Sequence, residues 1–569
     1  MATYYWVGGT GTWSGAGNTQ FAVSSGGVAT LLNPTSADTV NFDSASGTGT
    51  CTTDATAAAA VITLNSSTLG LTLGANLTIS GGFTLTLGAF TLGNNNFTSG
   101  TFFGNNSNVR SIAFGTGVIN VVNNNATVWG FNTSTIFTYT GSGTVNLTYS
   151  GATGTRSIVH SASGGGSQAT SLNFNVTAGT DTVQVYSFVN SLNFTGFSGI
   201  FSNLNTRTIY GDLTFSAGMT FTGTTTSTFA SASGTQKITT AAKTFDCGLT
   251  FAGAATYELQ DALTMGSTRT LTLTSGTLDL KNLTLTTGLF SSSNSNARAI
   301  TFGTGNITIT GNAATVWAAG NVANFSYTGT PTINCIYSGS TGTRTLNAST
   351  TSGSEANALT FNISAGSDIV TFGSNNNVKN VNFTGFSGTF SNTALSVYGN
   401  YTISSGMTVT AGANAVTFAA TSGTQQITTN GKTLDMPLTF NGIGGTFAFQ
   451  DALTQGATRA FTVTNGTVQL KASETSTVGS FVTSGTNQKF LQSTTSETQA
   501  TLSQASGVVN TSYLTIQDIF ATGGATWNSF YSNGNLDGGN NTNWIFGETP
   551  AYGAEYEYKL RSFTEPRRF

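Results

Sequence analysis

Arg110-Ser-Ile-Ala-Phe-Gly-Thr-Gly117 returns as Arg298-Ala-Ile-Thr-Phe-Gly-Thr-Gly305, and Asn125-Ala-Thr-Val-Trp129 returns as Ala313-Ala-Thr-Val-Trp317. Asn193-Phe-Thr-Gly-Phe-Ser-Gly199 returns as Asn382-Phe-Thr-Gly-Phe-Ser-Gly388, and Gln260-Asp-Ala-Leu263 as Gln450-Asp-Ala-Leu453. Residues 110–281 and 298–471 are thus two copies of one text, with an offset that starts at 188, dips to 187 and drifts to 190. Small insertions have left the pattern intact. A repeat architecture tolerates this, because each unit contacts only its neighbours.

Inside the copies, Leu69-Gly-Leu-Thr-Leu73, Phe83-Thr-Leu-Thr-Leu87, Leu271-Thr-Leu-Thr274, Ile307-Thr-Ile-Thr310 and Phe461-Thr-Val-Thr464 alternate apolar and polar residues. Such alternation predicts short strands with one buried face. The turns are rich in Asn and Gly, which accept positive φ. Only two of the five prolines, Pro331 and Pro437, fall between residues 51 and 547, as hydrogen-bonded strands require. The strand order is the same in both copies. The expected fold is all-β: a parallel β-solenoid with tandem internal duplication and coils of about 22 residues, closed by non-repeating, aromatic-rich end caps. The runs Asn94–Asn96, Asn123–Asn125 and Asn375–Asn377 are expected to form amide ladders between coils.

The expected organisation is an N-terminal cap or attachment region over 1–50, a partial first repeat over 51–109, and solenoid copies over 110–297 and 298–485. A solenoid end with a Trp-rich cap follows over 486–547, then a charged tail over 548–569. Four of the six Trp lie in the two caps. An open solenoid end exposes strand edges and core, so it needs a cover.

Charged residues make only 7% of the 569, with a net charge of −3 and no basic cluster ahead of the C-terminus. Nucleic acid is therefore not an expected partner. The 40 Phe and 16 Tyr argue against disorder despite the low charge. No apolar run approaches the length of a membrane-spanning helix, so membrane insertion is not expected. Met1-Ala-Thr-Tyr-Tyr-Trp6 has neither a basic start nor an apolar stretch and does not read as a secretory signal. Cys247 aligns with Met436 and Cys335 with Leu147, which marks both as core filler rather than disulfide or zinc residues.

The single histidine, His160, has no counterpart in the second copy. It reads as a surface residue near a turn, and no His-based triad or metal site is expected. Paired carboxylates are the remaining catalytic option. Asp181/Asp368, Asp246/Asp435 and Asp261/Asp451 are shared between copies and read as turn-capping residues. The unmatched acids Asp212, Glu258, Asp279 and Glu355 are scattered along the chain. The arginine pairs Arg110/Arg298, Arg156/Arg344 and Arg269/Arg459 read as donors to loop carbonyls, with a sugar or phosphate contact as the alternative. Phe194, Phe197 and Phe201, matched by Phe383, Phe386 and Phe390, read as core. Trp129/Trp317 fit either carbohydrate contact or core packing. No catalytic, cofactor or metal residues are assigned. The expected attachment contacts are Trp6 and Trp13 at one end, and Tyr556, Tyr558, Arg561, Arg567, Arg568 and Phe569 in the charged tail.

The opening Trp6-Val-Gly-Gly-Thr-Gly-Thr-Trp13, the Thr/Gly/Asn coils and the closing Leu514-Thr-Ile-Gln-Asp518, Ala521-Thr-Gly-Gly-Ala-Thr-Trp527 and Asp537-Gly-Gly-Asn-Asn-Thr-Asn-Trp544 resemble bacteriophage virion proteins of the tail-fibre and spike type. That resemblance implies a non-enzymatic, homotrimeric β-helical fibre on the virion surface. It would be made in the host cytoplasm, dock to other virion proteins through a terminal region, and bind a host-surface glycan or protein. A head fibre or capsid decoration protein, and a polysaccharide-degrading tailspike, are the alternatives. Autotransporter adhesins share the opening and the coils, but the resemblance fails at the translocator barrel those proteins need.

Overall fold

The computed structural model describes residues 1–131, 136–160, 167–348, 354–373 and 375–547. Apart from four single turns of 3-10 helix, the regular structure among them is strand. Among the described residues, the strand pairs run parallel except Thr3–Trp6 with Phe21–Ala22. The described residues form two compact units, one within 1–290 with 296–306 and 327–330, the other within 291–295, 307–326 and 331–547. Each is a parallel β-solenoid, as the repeat and the alternation led one to expect.

In the first unit, successive coils stack so that equivalent residues lie in register. Leu77 pairs with Phe97, then in turn come Ile119, Val145, Phe174, Leu192, Leu213, Ile238 and Leu259. All nine side chains are buried, so they form one unbroken interior column. A second column is aromatic: Phe83 stacks on Phe102 at 4.8 Å between ring centroids, and Phe102 on Trp129 at 4.9 Å. The alternation follows from the strand period of two, which sends each Thr or Asn outward between buried neighbours. Coil length varies more than the expected 22. Phe174 lies opposite Leu192, so one circuit takes 18 residues, while Trp129 lies opposite Ile158, a circuit of 29. Extra residues leave at the turns, and register survives because the buried face must stay inward.

Amide ladders are present, but not where the Asn runs predicted them. Asn120 donates to Thr98 Oγ1 at 3.4 Å, Asn146 to Asn120 at 2.9 Å and Asn175 to Asn146 at 2.9 Å. The second unit repeats the device, with Asn362 donating to Asn334 at 3.0 Å. The rungs are single outward residues at strand centres, where register aligns them. The first two runs sit at turns and mostly bond across to backbone or hydroxyl groups of neighbouring coils, while Asn376 and Asn377 of the third open the strand Asn376–Asn382. Asn95 donates to the Leu73 carbonyl at 2.8 Å, and Asn124 to the Thr153 carbonyl at 2.8 Å and the Tyr149 hydroxyl at 3.0 Å.

The N-terminal cap works as an open end requires. Phe21–Ala22 folds back antiparallel on Thr3–Trp6, pairing Tyr5 with Ala22 and Trp6 with Phe21. Trp6, Trp13, Phe21 and Phe42 pack ring against ring over the first coil. In the second unit the interior column Leu395, Val416, Leu438, Phe461, Phe481 ends on Trp527 and Trp544, whose centroids are 5.0 Å apart. Cys51, Cys247 and Cys335 are all free and buried, so the two aligned cysteines do serve as core filler.

Candidate functional site

The two tryptophans expected to meet a partner do not reach the surface. Trp6 and Trp13 are both 0% exposed, and the Trp6 indole donates to the Gly9 carbonyl at 3.0 Å. Their rings hold the cap together, which corrects their reading as contact residues. Tyr556, Tyr558, Arg561, Arg567, Arg568 and Phe569 lie outside the described residues. Trp129 and Trp317 are fully buried, which decides for core packing, and so are the paired phenylalanines.

The shared charges divide into two kinds. Arg156 grips Asp181 with Nε and Nη2, both at 2.8 Å, and Arg344 grips Asp368 in the same way at 2.7 and 2.8 Å. Both pairs are sealed from solvent. Each guanidinium also donates to one carbonyl, of Ala178 or Ala365, and faces two rings, Tyr149 and Phe197 or Tyr337 and Phe386. Asp181 and Asp368 are therefore ion-pair partners and not turn caps. Asp246 and Asp435 likewise pair with Arg269 and Arg459, at 2.8 and 2.6 Å, but near the surface. Only Asp261 and Asp451 do what was expected of all three. Asp261 accepts the backbone N–H groups of Thr240 and Ala242, and Asp451 those of Thr429 and Asn430. Arg110 and Arg298 donate to the carbonyls of Asn108 and Asn296, as expected.

His160 is a further correction. It is 0% exposed, enclosed by Trp129, Phe131, Phe137 and Phe174. The Trp129 indole donates to Nδ1 at 3.3 Å, and Nε2 lies 2.8 Å from the Thr170 carbonyl. These partners fix a neutral ring protonated on Nε2. Burial pulls its pKa down to about 4, against a smaller upward pull from the Thr170 carbonyl.

Three of the unmatched acids prove to be aligned rather than scattered. Leu213 pairs with Ile238, which sets Asp212 beside Lys237; Lys237 pairs with Glu258, and Glu258 with Asp279. Lys281 reaches Glu258 at 3.8 Å, Gln260 donates to it at 2.8 Å, and the Asp279 carboxylate accepts the Lys281 backbone N–H at 2.9 Å. In the second copy the same column reads Asn400, Gln426, Ala448, Gln469. Glu355, the fourth acid, binds Lys379 at 2.8 Å and Thr421 at 2.9 Å.

A different outward column holds a depression of about 250 Å³, lined by Thr224, Thr226, Gly248, Thr250, Thr268, Arg269, Thr270 and Thr272. Its floor is made by register. Thr228, Thr250 and Thr272 stand one above another, and on the flanking column Gly248 contributes no side chain between Thr226 and Thr270. A Cβ on Gly248 would lie 2.7 Å from Thr226 Oγ1, so any larger residue closes the dip. Arg269 borders it, held by Asp246, whose carboxyl the guanidinium keeps below its usual range. Among the described residues, no group of three or more His, Cys, Asp or Glu is placed to hold a metal ion, and no helix is long and apolar enough to cross a membrane.

No protein-family model, curated protein or solved structure matches this chain. The class rests on the coils themselves: a duplicated, parallel β-solenoid.

Proposed function

We propose that this chain is a bacteriophage virion structural protein, a β-helical fibre or spike that adheres to the host surface. It would work as a homotrimer that docks to other virion proteins through a terminal region. The observation that carries this reading is the division of labour between the two copies. Core columns, sealed Arg–Asp pairs and amide ladders are shared, which suits a stiff scaffold. Other outward columns differ, such as Asp212–Lys237–Glu258–Asp279 against Asn400–Gln426–Ala448–Gln469, which suits a surface that meets something outside. The uncharged Thr and Asn exterior also suits contact with hydroxyl-rich surfaces better than with nucleic acid. A head fibre or capsid decoration protein shares these features and differs only in its place on the particle.

The in-register pair Glu258 and Asp279 favours one second reading, a polysaccharide-degrading spike, because glycoside hydrolysis uses two carboxylates roughly 5–10 Å apart. One experiment separates the two. The purified full chain is sized by light scattering, then incubated with bacterial cells and with their extracted surface polysaccharide. A trimer that stays on cells and releases no reducing ends supports the adhesin. Release of reducing ends that Glu258→Gln abolishes replaces it with the hydrolase. A monomer that stays on no cells and releases no reducing ends removes both.

A further inference from the structure

The duplication supplies an internal control for surface sites, and the Gly248 depression is where the two copies part. The residue equivalent to Gly248 is Pro437, that of Thr226 is Ala415 and that of Thr270 is Ala460. Thr250, Thr268, Arg269 and Thr272 keep their identities as Thr439, Thr458, Arg459 and Thr462. Thr224 is likewise replaced, by Ala413, so the second copy has kept the ion pair and the central threonine column while filling the dip and losing three of its hydroxyls.

We propose that the Gly248 depression of the first copy is a binding subsite for a neutral hexose oligosaccharide. This deepens the adhesive reading and rests on it for the source of the glycan. Six threonine hydroxyls line the dip, and each can donate and accept at once, as sugar hydroxyls do. The only charges at its border, Arg269 and Asp246, neutralise each other at 2.8 Å. An acidic sugar would meet a guanidinium already occupied by a half-exposed carboxylate. No apolar side chain lines the dip, so it offers nothing to the aromatic or aliphatic anchors of a protein partner. At about 250 Å³ it falls below the roughly 300–1,000 Å³ of clefts that engulf a small ligand. It suits a short segment of a chain lying across the surface.

The same column supplies a second contact. Phe188 pairs in register with Thr208, which continues through Thr228 to Thr250. Phe188 and Tyr210 are both partly exposed, and their rings stack at 6.3 Å with 14° between planes. Three coil steps of about 4.8 Å place this aromatic face roughly 14 Å from Thr250. An aromatic face takes the apolar side of a pyranose ring while the threonines take the hydroxyls. In the second copy the residue matching Phe188 is Asn377, which hydrogen-bonds Tyr398 at 3.1 Å, so this face is also particular to the first copy.

The test exchanges residues between copies, since each set is already compatible with the coil. Glucose, galactose and mannose hexasaccharides, with a galacturonate hexasaccharide as the acidic control, are immobilised and probed with full-length protein. The expected result is retention on a neutral hexasaccharide, weakened about tenfold or more in the triple variant Gly248→Pro, Thr226→Ala, Thr270→Ala. The reverse graft Pro437→Gly, Ala413→Thr, Ala415→Thr, Ala460→Thr is expected to raise the binding stoichiometry. Circular dichroism unchanged from wild type confirms that both variants fold. Equal binding by wild type and triple variant, binding to galacturonate alone, or no binding to any neutral probe overturns the proposal. Attachment to cells separates it from the adhesive reading. Cell attachment that the triple variant keeps removes the subsite but not the adhesin; glycan retention by a protein that attaches to no cells does the reverse.

Discussion

Lowering the pH from 7 to 4 is expected to loosen the coils around His160 selectively. The imidazole is sealed among four aromatic rings, with its nitrogens committed to an incoming Trp129 N–H and to the Thr170 carbonyl. Protonating Nδ1 would set two N–H groups against each other in a space closed to water. The unfolded chain takes up the proton near 6.5, whereas the folded one holds it off until about 4. Between those values the unfolded state binds more protons, so stability rises with pH through this window and falls on acidification. A gap of about 2.5 units at 1.36 kcal/mol each gives about 3 kcal/mol, fully present above pH 6.5 and lost by about pH 4. The assay is direct because the chain has one histidine. With ¹³C-labelled histidine, the ring resonance is followed against pH, and amide exchange is measured across residues 128–131 and 155–160. The expected midpoint lies near 4, with protection in those strands falling below pH 6.5 ahead of the rest of the unit. His160→Ala, which installs the residue found at the equivalent Ala348, should remove the pH dependence. A ring titrating at 6.5, or uniform protection across the window, would refute the reasoning.

The sealed and open ion pairs should respond differently to the same change. Asp181→Ala strands a buried guanidinium and is expected to cost about 3–5 kcal/mol in local stability, whereas Asp246→Ala should leave exchange protection nearly unchanged. Ala241 and Ala242 both hold positive φ, 50° and 59°, where the second copy uses Asn430 and Gly431. Replacing them with Asn-Gly should stabilise that turn by about 1 kcal/mol or more, read as a higher exchange protection of Thr240 and Lys243. Breaking the amide ladder with Asn146→Ala should lower protection on the strands of Asn120 and Asn175 together, since both amides bond to it.

The fold was legible because its two signals are local. Alternation such as Phe83-Thr-Leu-Thr-Leu87 marks strands, and the repeated order of strands marks coils. What escaped depends on register. Asp212, Lys237, Glu258 and Asp279 are 21 to 25 residues apart and align only because each coil has its own length. A uniform coil of 22 would have misplaced them. The partners of Asp181 and Asp368 escaped for the same reason. Arg156 and Arg344 were seen to repeat, but which acid each one faces is set across coils. His160 was misread because a strand-end position suggests solvent, whereas here the chain packs back over it through Thr170. Gly248 did carry a signal. Its replacement by Pro437, beside Thr226/Ala415 and Thr270/Ala460, was visible in the aligned copies, but these three become neighbours only once the coils are stacked.

The claim that matters most is that this chain is displayed on a virus particle as an adhesive fibre. Antibody raised against residues 1–547, gold-labelled and viewed on purified virions by electron microscopy, tests it most directly. The account predicts label on a thin projection that contacts cells. Label confined to the cell envelope, with none on the particles, would contradict it.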